Sequence, residues 1–211
     1  MKLIGELIVV ATQNQGKTSE FRHAFAKLGL SVHSMADYPA LPEIIEDGTS
    51  FAENARIKAK VVGDALQIPV LADDSGLCVD ALGGAPGVYS ARYAGEGAAD
   101  SDNNAKLLAE LERLGSRLPE AELPGGITGL STGRFVCALA LYDPTSGQFV
   151  EAEGTMDGII VSKPQGAGGF GYDPLLWVPE HQRTVAQLSK DEKQDIGHRG
   201  RALAKLLDKL S

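Results

Sequence analysis

An α/β protein with a mixed sheet is the fold class this sequence predicts, and three observations carry it. Short runs rich in branched residues, such as Leu7-Ile8-Val9-Val10-Ala11, read as strands buried on both faces. The early ones alternate with segments of helical spacing, which makes parallel units, and two late apolar runs are joined by a turn, which makes a hairpin.

The elements follow in order. After the strand at 7–11, apolar positions Phe21, Ala24, Phe25 and Leu28 predict a helix over 17–28 that Gly29 stops. A second strand follows at 30–35, then a turn-rich stretch at 37–42. Ser50 and Glu53 have capping-box spacing and open a helix with the stripe Phe51, Ala55, Ala59, Val62 and Leu66. That helix leads into a strand at 68–72. A separate strand is expected at 77–82, broken by Gly83-Gly84-Ala85-Pro86-Gly87. Leu107, Leu108, Leu111 and Leu114 predict a helix over 102–114, and the segment 115–133, rich in Pro, Gly and Ser, predicts a surface loop. The hairpin takes 135–142 and 149–156, a short strand 175–178, and a last helix 200–210.

With 211 residues, 43% of them apolar, the chain can bury a full core as one domain over 1–211, with room for two lobes. A net charge of -8 argues against nucleic acid or an anionic membrane as the main partner, since both recruit basic patches. Any phosphate must therefore be held locally. Cys78 and Cys137 lie in apolar runs, which suits reduced buried thiols. No signal peptide is expected at residues 1–6, where an acid and a glycine stand, and no run of 18 apolar residues occurs, so the expected location is cytoplasmic.

Directly after 68–72 come Asp73-Asp74-Ser75-Gly76. Placed at a strand end, such a pair faces solvent, a bound cation, or both, because adjacent like charges repel and are costly to bury. Magnesium, which prefers carboxylate oxygen and keeps waters for phosphate, would resolve the repulsion. A plain loop opened by an Asx-type turn is the alternative. The first strand runs into Thr12-Gln13-Asn14-Gln15-Gly16-Lys17-Thr18 at the head of a helix. Backbone N–H groups, the helix dipole and the Lys17 ammonium suit that junction to an anion. It nearly matches the Walker pattern, with Ala11 where the leading glycine would stand, so a P-loop phosphotransferase is a rival on this segment. An ordinary capped helix start is the other reading.

Gly166-Ala167-Gly168-Gly169-Phe170-Gly171-Tyr172-Asp173-Pro174 combines backbone access with aromatic faces for a planar ligand, unless its aromatics merely plug the core. Lys193 and His198-Arg199 are donors that suit a base edge or, equally, a solvated face. Glu46 and Asp47 precede Gly48 and offer a second acid for a metal, unless they are only partners of the helix dipole. Asn54 and Lys58 lie four apart on the helix face beside the apolar stripe, pointing to the same cleft if that helix flanks it or, equally, forming a surface pair.

In order along the chain, these segments resemble the inosine triphosphate pyrophosphatase family, also called XTP/dITP diphosphatases. The residues that carry the resemblance are Ala11 to Lys17, Phe51-Ala52-Glu53-Asn54-Ala55, Ala72-Asp73-Asp74-Ser75-Gly76-Leu77, Gly83 to Tyr93, Gly168 to Pro174, and His198-Arg199-Gly200. The resemblance implies an elongated mixed sheet flanked by helices, two lobes around a central substrate cleft, a homodimer, and magnesium-dependent hydrolysis of a 6-oxo purine nucleoside triphosphate to monophosphate and pyrophosphate. Carried over by position, Thr12, Gln13, Asn14, Gln15, Gly16 and Lys17 would grip phosphates, with Lys58 a further contact. Asp74 would be proton acceptor and magnesium ligand, with Glu46 the second acid and Asp47 its alternative. Ser75, Phe170, Gly171, Tyr172, Asp173, Lys193, His198 and Arg199 would bind substrate, the last groups around the base. The chain departs from the family's pattern at Gln13, where glycine or histidine is usual, at Gly197, where serine commonly stands, and in a longer 115–133 segment. A nucleotide sensor without catalysis is the second rival, although a mere binder has no need of a water-activating carboxylate.

Overall fold

The computed structural model describes residues 7–38, 40–118, 122–124 and 126–211. The expected absence of a signal peptide at residues 1–6 lies outside the described residues, as does part of the expected 115–133 loop. The strands are β1 (Leu7–Ala11), β2 (Ser31–Ser34), β3 (Val70–Val79), β4 (Glu122–Leu123), β5 (Ile127–Asp143), β6 (Gln148–Val161), β7 (Leu176–Val178) and β8 (Arg183–Thr184). The helices are α1 (Gln15–Ala26), α2 (Phe51–Leu66), α3 (Asp100–Arg113), α4 (Lys190–Ile196) and α5 (His198–Leu210). The sheet order is β2-β1-β3-β5-β6-β7-β8, with β4 paired to β5, so the expected mixed α/β sheet is present.

Two compact units divide the chain. The first holds the described residues up to Asp74 together with Cys137–Thr155 and Gln194–Ser211; the second holds those of Ser75–Val136 and Met156–Lys193.

In the first unit β1 pairs in parallel with both β2 and β3, in a register that sets Val10 beside Leu71 and Ala11 beside Ala72. Alternation then sorts side chains onto two faces. One face buries Val10, Leu71, Cys137, Leu139 and Leu141 with Phe21 and Phe25 of α1 and Ala202, Leu203 and Leu206 of α5. The other buries Val9, Ala11, Val70, Ala72, Ala138 and Ala140 with Ala55, Ala59 and Val62 of α2. Each fully buried phenylalanine on the first face contributes about 1.5–3 kcal/mol of transfer free energy. Because the two faces carry different helices, neighbouring residues on β3 meet different partners.

Helix α1 begins two residues earlier than its apolar spacing predicts because Asn14 caps it, its Oδ1 accepting the Lys17 N–H at 3.0 Å. Gly29 takes the left-handed conformation expected of a stop, with φ 72°. Helix α2 starts at the predicted cap: Ser50 Oγ accepts the Glu53 N–H at 3.2 Å. The reciprocal half of the capping box is shifted by one residue, because the Glu53 carboxylate takes the Thr49 N–H and hydroxyl, at 2.6 and 2.8 Å.

At residues 151–155, β6 is the last strand in the first unit's part of the sheet order. Its carbonyls at Glu151, Glu153 and Thr155 accept from Lys209, Lys205 and Arg201 at 2.7, 2.8 and 2.8 Å. Three cations spaced four apart on α5 thus cover a strand edge that would otherwise pair with another chain. Gly154 makes this approach possible, since a Cβ there would lie 2.2 Å from the His198 carbonyl oxygen and 2.4 Å from the Ala202 nitrogen. Both are backbone atoms and cannot swing aside. Gly154→Ala is expected to cost about 1–3 kcal/mol, read as a lowered melting midpoint; an unchanged midpoint would show that α5 is not seated on the strand.

In the second unit β7 runs antiparallel to β6 and to β8, setting Ile160 beside Leu176 and Val178 beside Arg183. Leu107 and Leu111 are the buried face of α3.

Two expected elements are corrected, and one helix was not expected. Residues 70–79 form one unbroken strand rather than two strands with Asp73-Asp74-Ser75-Gly76 between them, so neither a strand end nor an Asx-type turn occurs there. Strand β5 starts at Ile127, inside the segment expected to be loop; burial alternates from Ile127 to Phe135, a half-buried pattern that its glycines and hydroxyls conceal. Helix α4, with few apolar residues, had no periodicity to reveal it. Cys137 is buried as expected, and Cys78 only half so.

Candidate active site

Continuity of β3 decides the geometry. Successive residues of a strand point to opposite faces, so Asp73 joins the face of α1 and α5 and Asp74 the face of α2. The two carboxylates hydrogen-bond to different side chains, Asp73 to Lys17, Arg199 and Cys137 and Asp74 to Lys58 and Asn54.

Asp73 is 1% exposed. Its Oδ1 lies 2.5 Å from Lys17 Nζ, and its Oδ2 accepts from Arg199 Nε at 2.7 Å and from Cys137 Sγ at 3.1 Å. Arg199 reaches on through Nη1 to Glu20, three residues after Lys17 on α1. Burial opposes ionisation of Asp73, but the Arg199 guanidinium and the Lys17 ammonium outweigh it and hold the carboxyl well below the usual carboxylate range.

Asp74 is 7% exposed. Its Oδ1 accepts from Lys58 Nζ at 2.7 Å and its Oδ2 from Asn54 Nδ2 at 3.2 Å, both donors coming from α2 at positions four apart. Lys58 Nζ also bonds Glu46 Oε2 at 3.1 Å. Here burial dominates: Lys58 and Lys17 offset it only in part, Glu46 adds to it, and the carboxyl is pushed above its ordinary value. Lys58, pulled down by burial, is raised on balance by Asp74 and Glu46 and keeps its charge. Adjacent acids driven in opposite directions are a signature of divided roles, a fixed counter-ion on one side and a proton acceptor on the other.

The residues fit a hard cation. Glu46 and Asp74 already converge on one positive centre, the Lys58 ammonium, and magnesium is held by one or two carboxylates with waters and substrate phosphates. Among the described residues no cluster of three or more His, Cys, Asp and Glu is present to hold a metal without such help.

The junction Thr12 to Lys17 is organised around its own cap, Thr12 Oγ1 accepting the Asn14 N–H at 3.1 Å. Gln15 and Gly16 follow in the first turn, where a helix has no internal acceptor for their N–H groups. His198 opens α5 after the buried N-cap Gly197, which has no side chain to cap with, and is half-buried.

A second group lies in the second unit. Asp173 Oδ2 accepts from Lys193 Nζ at 2.7 Å and from the Phe170 N–H at 3.2 Å. Gly171 is held at both backbone groups from α3: its N–H donates to Asp100 Oδ2 at 2.6 Å and its carbonyl accepts from Asn104 Nδ2 at 3.1 Å. Of the two aromatics, Tyr172 is the core plug, 4% exposed with its hydroxyl on the Ser90 carbonyl at 2.8 Å, and Phe170 stays half-buried. Ser75 follows Asp74 on β3 and is half-buried.

The structure therefore joins Lys17 and Arg199 through Asp73, and Glu46 and Asp74 through Lys58. It likewise joins Lys193 and Phe170 through Asp173. Sequence reasoning missed Glu20, Cys137, Asp100 and Asn104. Reading β3 as continuous would have separated the two acids; Glu20 had the one-turn spacing from Lys17 as a signal.

A parallel β-α-β start with a capped helix and lysine, followed by two mid-strand acids with opposed electrostatics, defines an α/β protein equipped for anionic ligands. The chain belongs to the Ham1 family, whose model matches residues 8–209. It is 49% identical over 199 residues to the dITP/XTP pyrophosphatase of Geobacillus kaustophilus, covering 94% of this chain and 91% of that one. It is 47% identical over 201 residues to the dITP/XTP pyrophosphatase of Halalkalibacterium halodurans, covering 95% and 96%. A solved HAM1 protein from Coxiella burnetii superposes with a TM-score of 0.80 at 37% identity, over 98% of each chain. The family resemblance and the fold class read from the sequence are thereby borne out.

Proposed function

We propose that the chain is a magnesium-dependent nucleoside-triphosphate pyrophosphohydrolase that converts dITP, ITP and XTP to the monophosphate and pyrophosphate. It acts on small-molecule nucleotides in the cytoplasm, as a homodimer, and so removes deaminated purines from the precursor pool. The observation that carries the reading is the opposite treatment of two adjacent carboxylates, Asp73 locked between Arg199 and Lys17 as a counter-ion and Asp74, bonded to Lys58 and Asn54, pushed above its ordinary value by burial. Membership of a family whose relatives bear the name dITP/XTP pyrophosphatase supports it. No helix among the described residues is long and apolar enough to cross a membrane, which is consistent with it.

Water adds across the phosphoanhydride between the α- and β-phosphates, and Asp74 takes its proton. Glu46 and Asp74 would hold magnesium, which when bound neutralises charge on the phosphates and the leaving pyrophosphate. Thr12, Gln13, Asn14, Gln15, Gly16 and Lys17 receive the phosphates at the head of α1, and Lys58 adds a second ammonium. Ser75, Phe170 to Asp173 and Lys193 contact the rest of the substrate. Donors from His198 and Arg199, the latter oriented by Asp73 and Glu20, favour a 6-oxo purine over adenine. A pocket lacking a partner for the 2-amino group would disfavour guanine.

The test is the product analysis of purified protein with magnesium and equal concentrations of dITP, XTP, dGTP and dATP. Monophosphate and pyrophosphate from dITP and XTP, with little from the other two, is the expected result. Diphosphate would replace it with phosphohydrolase or phosphotransferase chemistry, and binding without turnover with a sensor.

A further inference from the structure

Asn54 is 1% exposed and both ends of its carboxamide are engaged. Nδ2 donates to Asp74 Oδ2 at 3.2 Å and Oδ1 accepts the Gly48 N–H at 2.9 Å. The amide has only one orientation that satisfies both partners, because an ionised carboxylate only accepts and a backbone N–H only donates. Gly48 is pressed against the same side chain: a Cβ there would lie 2.6 Å from Asn54 Oδ1 and 2.8 Å from Glu53 Cβ.

Two residues before Gly48 stands Glu46, and its carboxylate returns to Asp74 through Lys58. The acid-bearing loop is thus tied to Asp74 twice, once ionically and once through a neutral amide. The ionic tie is labile by construction, since the Lys58 ammonium is attracted to any phosphate or displaced by any cation that Glu46 and Asp74 take up. The amide tie carries no charge and survives both events.

We propose, resting on the function assigned above, that Asn54 is a positioning residue: it keeps the Glu46 loop in register with Asp74 while Lys58 exchanges partners. It also fixes Asp74 Oδ2, leaving the carboxylate one defined orientation towards water and metal. Groups in this supporting role typically contribute about 10- to 100-fold to metal affinity or activity.

The experiment compares the full chain with Asn54→Leu and Asn54→Ala, the second leaving room for water if the first does not fold. Amide hydrogen exchange at Gly48, followed by NMR without metal or nucleotide, is expected to be slow in the parent and at least about tenfold faster in a folded variant, because its acceptor is gone. With dITP, kcat is expected to fall about 10- to 100-fold and half-saturating magnesium to rise, while KM for dITP changes less than about threefold. A merely structural contribution would lower the melting midpoint without moving the magnesium requirement. Fast exchange at Gly48 in the parent overturns the proposal with no variant needed. So does unchanged exchange in either variant, or an unchanged magnesium requirement. If the parent releases no pyrophosphate from dITP, the assigned function fails, and the Gly48 exchange still decides whether the tie exists.

Discussion

Asp74→Asn gives a folded protein whose turnover of dITP falls by about 10²- to 10⁴-fold, the range that a positioned general base supplies. Its melting midpoint does not fall with it. Burial works against the ionised Asp74 carboxylate in the folded state, and the neutral amide removes that cost while keeping the same shape and an oxygen for Lys58, which also keeps Glu46. The relief is offset by an NH2 group that then faces the Asn54 donor. Loss of activity with stability held or slightly raised is therefore the expected pair of results, read from initial rates and from a thermal melt of the same preparation. A kcat within tenfold of the parent would remove Asp74 from the proton-accepting role; a large drop in melting midpoint would mean that its ion pair with Lys58 stabilises the fold.

The contrast between Asp74 and its neighbour was not legible in the tetrapeptide Asp73-Asp74-Ser75-Gly76 itself. Two acids, a hydroxyl and a glycine suggest a strand end, because strand interiors are usually apolar and acids are costly to bury. Residues 70–79 remain a strand because the partners that compensate those acids come from afar: Lys17 on α1, Lys58 and Asn54 on α2, and Arg199 on α5. Long-range compensation of this kind leaves no local periodicity. Elements whose stability is local were legible, including β1, the Ser50 cap of α2 and the apolar stripe of α5. The opening of β5 at Ile127 was hidden for a related reason, since a half-buried strand with glycine and hydroxyl positions is held by its neighbours rather than by its own composition. At the candidate site, the placing of Asn54 and Lys58 on one helix face was readable from their spacing. Which acid they face was not, because that depends on the parity of β3.

Asp73→Ala carries the largest expected cost in stability. Removing this buried carboxylate strips Arg199 of one of its two acids and Lys17 of the anion 2.5 Å from its ammonium. Breaking a buried pair from one side costs about 3–5 kcal/mol because a charge is left uncompensated. The lower end applies here: Arg199 keeps Glu20, and the Lys17 side chain, 13% exposed, can turn its ammonium to water. For a chain of this length about 3 kcal/mol corresponds to a fall of about 6–12 °C in melting midpoint. Substituting both ends of the pair, as Asp73→Leu with Arg199→Met, is expected to recover part of that loss, since well-packed apolar residues avoid the desolvation cost of buried charges. An Asp73→Ala protein that melts with the parent would show the cluster to be solvated. A double variant less stable than the sum of the two single ones would show that the pair contributes packing as well as charge.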